Sequence, residues 1–65
     1  MKNLVKVERA RLDLTQAQLA ERLGVSRQTI HAIEKQKFNP SVTLALKMAK
    51  LFKLSVEELF TLDEE

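Results

Sequence analysis

The sequence of 65 residues contains no cysteine, tryptophan or tyrosine, and only one glycine, one proline and one histidine. Without cysteine the chain can form neither a disulfide framework nor a thiolate metal site. One glycine cannot supply a glycine-rich phosphate loop, and one histidine cannot build a multi-histidine metal cluster. No apolar run approaches the roughly 18 residues that cross a membrane, and the first residues show no signal-peptide hydrophobic region. We therefore expect a single cytoplasmic domain that uses no metal, cofactor or membrane.

Charge is distributed unevenly along the chain. Residues 1–53 contain all eleven basic residues and four acidic ones, a net charge of +7, whereas residues 54–65 contain five acidic residues and no basic one, a net charge of −5. This asymmetry indicates either a basic body that binds a polyanion, with the acidic end placed away from it, or an ordinary solvated surface. Charge alone does not separate the two interpretations.

Capping signals divide the chain into helices. The N-cap candidates are Thr15, Ser26, Ser41 and Ser55. Gln18 and Glu58 follow two of them three residues later and complete capping boxes. The predicted helices span residues 4–11, 16–23, 27 to about 35, 42–52 and 56–60. Val5 and Leu62 are equally consistent with two short strands that pair the chain's ends. The sequence thus predicts an all-α fold of five helices with a possible short β pairing.

One hydrophobic core accounts for most of the large apolar side chains. The predicted core contains Leu19, Leu23, Val25, Ile30, Ile33, Phe38, Leu44, Met48, Leu51, Phe52, Leu59 and Phe60. A cluster of methionine and phenylalanine can also line a ligand site, but in so short a helical chain we interpret these residues as packing.

Residues 16–35 are the most informative segment. Two short helices are separated only by Gly24, Val25 and Ser26, so they must cross sharply. Gly24 stands where a helix ends in the left-handed region, and Ala20 lies where a larger side chain would push the helices apart. This pattern is typical of a DNA-binding helix-turn-helix, although some helical hairpins share its geometry without touching DNA.

The second helix of this segment presents an outward face without a carboxylate. At about 100° per residue, Ile30 and Ile33 define its buried side. The opposite side presents Arg27, Gln28, His31, Ala32 and Lys35. An ordinary solvated face would mix charges of both signs, so this face favours a polyanion partner.

The chain resembles the lambda-repressor/Cro-type helix-turn-helix family, most closely its minimal single-domain bacterial and archaeal regulators. The residues that carry the resemblance are Thr15-Gln16-x-x-Leu19-Ala20, Gly24-Val25-Ser26-Arg27-Gln28-Thr29-Ile30, Ile33-Glu34 and Asn39-Pro40-Ser41. The similarity covers residues 4–60. It implies a five-helix DNA-binding domain, residues 1–65 with the motif at 16–35, acting as a homodimeric transcriptional regulator, often a repressor.

The resemblance also implies roles for individual residues. Gln16 matches a glutamine that holds a DNA phosphate. The recognition helix and the loop after it supply the other candidate DNA-binding residues: Ser26, Arg27, Gln28, Thr29, His31, Lys35, Lys37 and Asn39. For His31, DNA contact and a solvated position beside the groove both stay open, and Thr29 either contacts phosphate or supports the helix. Arg9 and Glu34 match a structural pair and are excluded from the DNA-binding set.

The sequence departs from the family pattern at three positions. Asp13, Gln36 and Lys53 stand where similar sequences often have glycine. Side chains other than glycine enter the left-handed region reluctantly, Gln and Lys more so than Asp. We therefore expect the ends of the third and fourth helices to differ from the family pattern.

A dimer interface is predicted within residues 54–65. The candidate interface residues are Leu54, Val56, Leu59, Phe60 and Leu62, with acidic residues 57, 58 and 63–65 at the rim. The alternative function is a protein-interaction module such as an antitoxin or anti-activator, which the basic outward face disfavours. An enzyme is not expected, because His31 has no cysteine or orienting carboxylate beside it.

Overall fold

The chain folds into five helices and one pair of short strands in the computed structural model, which describes residues 1–63. The elements in chain order are β1 (Lys2–Asn3), α1 (Val5–Arg11), α2 (Gln16–Leu23), α3 (Arg27–Glu34), α4 (Val42–Phe52), α5 (Val56–Leu59) and β2 (Phe60–Thr61). The predicted all-α class is confirmed, with helix boundaries shifted by one residue in α1, α3 and α5. None of the helices in residues 1–63 is long and apolar enough to cross a membrane.

Side chains cap the helices where the sequence predicts. The Thr15 hydroxyl accepts the Gln18 N–H at 3.0 Å, and the Gln18 carboxamide accepts the Thr15 N–H at 2.9 Å. Ser55 and Glu58 form the equivalent reciprocal pair at 3.0 and 2.8 Å. Each box satisfies two backbone N–H groups that the helix itself leaves unpaired.

The chain's ends pair as two antiparallel strands, but through different residues from those predicted. Lys2 pairs with Thr61, and Asn3 pairs with Phe60. Val5 is instead the first residue of α1 and is fully buried. Leu62 follows β2 and is exposed. The predicted pairing of the chain's ends is confirmed. Val5 and Leu62 lie outside the two strands, because Val5 begins α1 and its side chain packs into the core.

The core lies among all five helices. Its buried apolar residues are Val5, Leu19, Ala20, Leu23, Ile30, Ile33, Leu44, Ala45, Met48, Ala49, Phe52, Leu59 and Phe60. Val25 and Leu51 are half-buried against it. The prediction for Phe38 was wrong, since its side chain is 51% exposed. Phe38 lies in the loop between α3 and α4, and such connections run over the surface of a domain.

The burial of Leu59 and Phe60 changes the predicted dimer interface. Leu59 is fully buried and Phe60 almost so, because α5 and β2 close one side of the core. Neither side chain therefore exposes enough surface to contribute substantially to an interface with a second protomer. Leu54 and Val56 are half-buried and Leu62 is exposed. The predicted rim residues Glu64 and Glu65 lie outside the described residues.

Among residues 1–63, three residues other than glycine adopt the left-handed conformation. The φ angles are +59° at Asp13, +62° at Gln36 and +58° at Lys53. The expected change at the ends of α3 and α4 is therefore absent, because Gln36 and Lys53 take the backbone conformation that glycine would take. Each such residue costs on the order of 1 kcal/mol, which the surrounding packing must offset.

Candidate nucleic-acid interface

The turn between α2 and α3 sets the position of α3. Gly24 has a φ of +73°, and the Val25 N–H donates to the Ala20 carbonyl at 3.0 Å, so the chain reverses immediately after α2. Ala20 is buried where the two helices meet. Ser26 then caps α3 by accepting the Thr29 N–H at 3.2 Å. A left-handed glycine, a small residue and a capping serine thus fix the crossing of the two helices.

The exposed face of α3 has the composition that the helical period predicts. Ile30 and Ile33 are fully buried. The exposed side chains are Arg27, Gln28 and His31 within α3 and Lys35 at its C-cap. Lys37 and Asn39 are exposed in the following loop. These positions can reach a partner, but contact of their side chains with DNA stays a prediction.

Arg9 and Glu34 form the structural pair that the resemblance implies. Arg9 Nε donates to Glu34 Oε2 at 2.7 Å, and Arg9 Nη2 donates to Glu34 Oε1 at 3.2 Å. Arg9 Nη1 donates to the Leu14 carbonyl at 2.8 Å. The Glu34 side chain is only 4% exposed. This pair joins α1 to the end of α3 and turns the single carboxylate of α3 away from its exposed face.

The environment of Glu34 stabilises its ionised form. Burial acts to raise the pKa of the carboxyl, but hydrogen bonds from Arg9 and Gln16 and the positive charges of Arg9 and Lys6 outweigh that effect. The pKa of Glu34 is therefore lowered from its ordinary value. An ionised Glu34 and a charged Arg9 neutralise each other beside the exposed face.

Gln16 is bonded to α3 rather than free at the surface. Its Nε2 donates to Glu34 Oε1 at 2.9 Å and lies 3.5 Å from Nδ1 of His31. A carboxamide nitrogen carries two hydrogens, so beyond the bond to Glu34 one N–H faces His31 Nδ1 and the mouth of this site. Glu34 thus orients the Gln16 carboxamide. Contact of Gln16 with a DNA phosphate stays a prediction.

Ser26 and Thr29 hold the start of α3. Their hydroxyl oxygens lie 3.0 Å apart, and Thr29 is half-buried. This pairing is the helix-supporting role that the sequence left open for Thr29. Contact of either hydroxyl with DNA stays a prediction.

A polar pocket that sequence reasoning missed lies where α1, α2 and α3 meet. It has a volume of about 300 Å³. The polar pocket is lined by Lys6, Arg9, Gln16, His31, Glu34 and Lys35. Lys6 was overlooked because it lies on α1, outside the helix-turn-helix. Its spacing of three residues from Arg9 was the available signal, since residues i and i+3 share one helix face.

Asn3 is a second residue that the sequence did not single out. Its Nδ2 donates to the Ile33 carbonyl at 2.9 Å, and its Oδ1 accepts the Val5 N–H at 3.1 Å. The side chain therefore satisfies a carbonyl near the end of α3 and an N–H at the start of α1. No local sequence pattern predicts the contact between Asn3 and Ile33, which lie 30 positions apart.

Comparison with known proteins gives consistent matches along the chain. The sequence profile of the helix-turn-helix family matches residues 5–59. A helix-turn-helix-type transcriptional regulator of Methanocaldococcus jannaschii is 52% identical over 65 residues, covering 100% of this chain and 98% of that protein. Another of Bacillus subtilis, YgzD, is 51% identical with the same coverage. A third, of Archaeoglobus fulgidus, is 46% identical and covers 100% of this chain and 92% of that protein.

Proposed function

This chain belongs to the helix-turn-helix family, and we propose that it is a transcriptional regulator that binds specific double-stranded DNA as a homodimer. In this proposal α3 lies in the major groove of a near-palindromic operator, and the protein acts as a repressor in the cytoplasm. The observation that supports it best is the exposed face of α3, which presents basic and amide groups while its one carboxylate is buried and neutralised. The proposed role is binding rather than catalysis.

Two exposed side chains of α3 supply base recognition. Gln28 donates to adenine N7 and accepts from adenine N6, and Arg27 donates to guanine O6 and N7 or to a phosphate. Gln16, Lys35, Lys37 and Asn39 contact the sugar–phosphate backbone, which positions the helix without specifying sequence. Ser26 and Thr29 keep the start of α3 in place, and His31 flanks the groove.

The dimer forms through an exposed apolar surface on α4 and α5. We define the dimer surface as Val42, Leu46 and Val56. Val42 is 78% and Leu46 is 57% exposed, and all three residues line an apolar groove of about 430 Å³ that no residue of α3 enters. A protomer measures 34 × 23 × 21 Å. We expect the dimer to place its two α3 helices about 34 Å apart, which is one turn of DNA.

A binding selection from random duplexes tests the DNA-binding proposal. The enriched sites should be near-palindromic, with half-site centres about 10 base pairs apart. Affinity should fall steeply with salt, because phosphate contacts release counterions. Absence of any salt-dependent enrichment would contradict the proposal. Stable co-purification with a protein partner in its place would support the antitoxin or anti-activator alternative.

The two lysines after α3 give a quantitative test of backbone contact. Lys35→Ala and Lys37→Ala should each weaken binding to all duplexes alike and reduce the slope of log K against log salt by about 1.8, which is about 0.9 for each protomer of the dimer. Titrations at several salt concentrations measure that slope. An unchanged slope in either variant would remove that lysine from the phosphate contacts.

Sedimentation tests the dimer proposal. The unaltered chain should be a dimer at micromolar concentration, and Leu46→Glu should make it a monomer with unchanged helix content. Leu4→Glu is a matched control, since Leu4 is 45% exposed but lies outside the groove. A monomeric unaltered chain, or equal dissociation by both substitutions, would contradict the proposed surface.

A further inference from the structure

We propose that the polar pocket holds one phosphodiester group of the bound DNA, and that Lys6 of α1 supplies a positive charge to it. This inference rests on the proposed function. It extends the DNA-binding surface to a helix outside the helix-turn-helix and gives a role to a residue that the family resemblance did not mark.

The inner part of the polar pocket carries no net charge. All three nitrogens of the Arg9 guanidinium donate hydrogen bonds, two to Glu34 and one to the Leu14 carbonyl. Arg9 and Glu34 therefore neutralise each other, and three of the five guanidinium N–H groups are already bonded within the protein. The positive charge of the pocket comes instead from Lys6 and Lys35 at its edge.

These two lysines have no carboxylate partner within the part of the chain that the structure describes. The ion pairs among residues 1–63 join Met1 to Asp63, Arg9 to Glu34 and Arg11 to Glu8. Lys6 and Lys35 are both exposed. Two unpaired ammonium groups beside the neutral Arg9–Glu34 pair create a local positive potential that attracts an anion.

The other lining groups suit a phosphodiester. After donating to Glu34, Gln16 Nε2 has a second N–H beside His31 Nδ1, and a phosphate oxygen is an alternative acceptor for it. Neutral donors together with lysine ammonium groups are a common environment for DNA phosphates. The pocket thus offers both charge and directional hydrogen bonds to a group with one negative charge.

The polar pocket is continuous with the exposed face of α3. His31 and Lys35 belong to both surfaces. When α3 lies in the major groove, the phosphates that border the groove pass along its sides. A backbone phosphate can therefore reach the pocket while Gln28 contacts a base. This continuity favours DNA over a free phosphorylated ligand as the source of the phosphate.

Salt titrations of a charge-removing variant test the inference. Lys6→Gln should reduce the slope of log K against log salt by about 1.8, which is about 0.9 for each protomer of the dimer, equally for the selected site and for an unrelated duplex. Lys6→Arg should restore the slope. Lys50→Gln on α4 is the matched control, since Lys50 is also exposed but does not line the pocket. Equal slopes for Lys6→Gln and Lys50→Gln would overturn the inference.

Neutral methylphosphonate linkages, placed one at a time in the selected duplex, identify the phosphate. One position in each half-site should weaken binding of the unaltered protein but cause no further loss with Lys6→Gln. The inference would be overturned if, at every position, the neutral linkage weakened binding of Lys6→Gln as much as it weakens binding of the unaltered protein. Thermal unfolding of each variant checks the fold.

Inorganic phosphate separates the two possible sources of the anion. Titrated into the unaltered protein without DNA, it should cause no saturable NMR shift of the Gln16 and His31 side chains at sub-millimolar concentration. A saturable shift that Lys6→Gln abolishes would assign the pocket to a free anion instead. Failure of the proposed function looks different, since the unaltered chain would then bind no duplex in a salt-dependent manner.

Discussion

Two corners of this chain share one backbone geometry, yet only one of them presents a basic surface. The first corner joins α2 to α3, and the second joins α4 to α5. Each consists of a left-handed residue, a half-buried aliphatic residue and a capping serine, namely Gly24, Val25 and Ser26 in the first and Lys53, Leu54 and Ser55 in the second. The aliphatic N–H donates to the carbonyl five residues earlier in both, at 3.0 Å and 2.9 Å.

The helices that follow the two corners differ in the groups they expose. Two residues after the capping serine, α3 has Gln28 whereas α5 has Glu57, and both are exposed. The first turn of α5 is acidic, and α5 is 4 residues long compared with 8 for α3. The geometry of a short turn between helices therefore does not itself indicate DNA binding. The exposed residues of the second helix do.

Breaking the ion pair that joins α1 to the end of α3, the helix after the first corner, should have the largest effect. Glu34→Ala leaves the Arg9 guanidinium without its partner in a largely buried site, so the free energy of unfolding should fall by about 3 kcal/mol. Urea unfolding at neutral pH measures this loss. Glu57→Ala at the second corner is the control and should cost less than about 1 kcal/mol. Similar losses of unfolding free energy in Glu34→Ala and Glu57→Ala would show that the Arg9–Glu34 pair contributes no special stability.

The same ion pair should make stability depend on pH. The folded-state pKa of Glu34 is lowered from the ordinary value of 4.5, so its contribution is fully present above that pH and is lost as the pH falls through the folded-state value. The difference in unfolding free energy between the unaltered protein and Glu34→Gln should therefore narrow below pH 4.5. A difference that stays constant in acid would contradict the lowered pKa.

Substitution of Gln28 and of Glu57, the equivalent exposed residues after the two corners, should affect DNA recognition differently. Gln28→Ala should remove discrimination at one base pair of each half-site, worth roughly 1–3 kcal/mol. Glu57→Ala should leave base preference unchanged. Binding selections with the two variants measure both effects. If Gln28→Ala retains the original preference, Gln28 does not contact that base.

The left-handed residues give the smallest expected effects, of opposite sign. A Cβ added at Gly24 meets no atom within 4 Å, so Gly24→Ala should cost only the backbone strain of about 1 kcal/mol. Lys53→Gly relieves the same strain at the second corner, and its gain should be below about 1 kcal/mol because glycine also adds freedom to the unfolded chain. Thermal unfolding compares them. Destabilisation by Lys53→Gly would show that the corners are not equivalent.

Local features of this fold could be predicted from the sequence, and contacts between distant segments could not. The caps at Thr15 and Ser55 and the left-handed Gly24 depend on residues within four positions of one another. Phe38 was misplaced because apolar character alone does not show whether a loop side chain meets the core. Lys6 and Asn3 were missed because their positions depend on how α1 packs against α3.

The candidate site divides in the same way. The exposed face of α3 follows from helical period, since two buried isoleucines fix the orientation of every other residue. The pairing of Gln16 with Glu34 and the polar pocket require three helices to be assembled first. Leu59 and Phe60 were included in the predicted dimer interface because counting apolar residues does not show which of them the core already uses.

The bonds made by Asn3 have a consequence for hydrogen exchange. Its side chain joins the end of α3 to the start of α1, and its backbone belongs to the strand that pairs with Phe60. Opening of the paired termini should therefore loosen the last turn of α3 as well. In native-state exchange, amides of β1, α1 and the end of α3 should open as one cooperative unit. Local fraying of the chain's ends would then change the rigidity of α3.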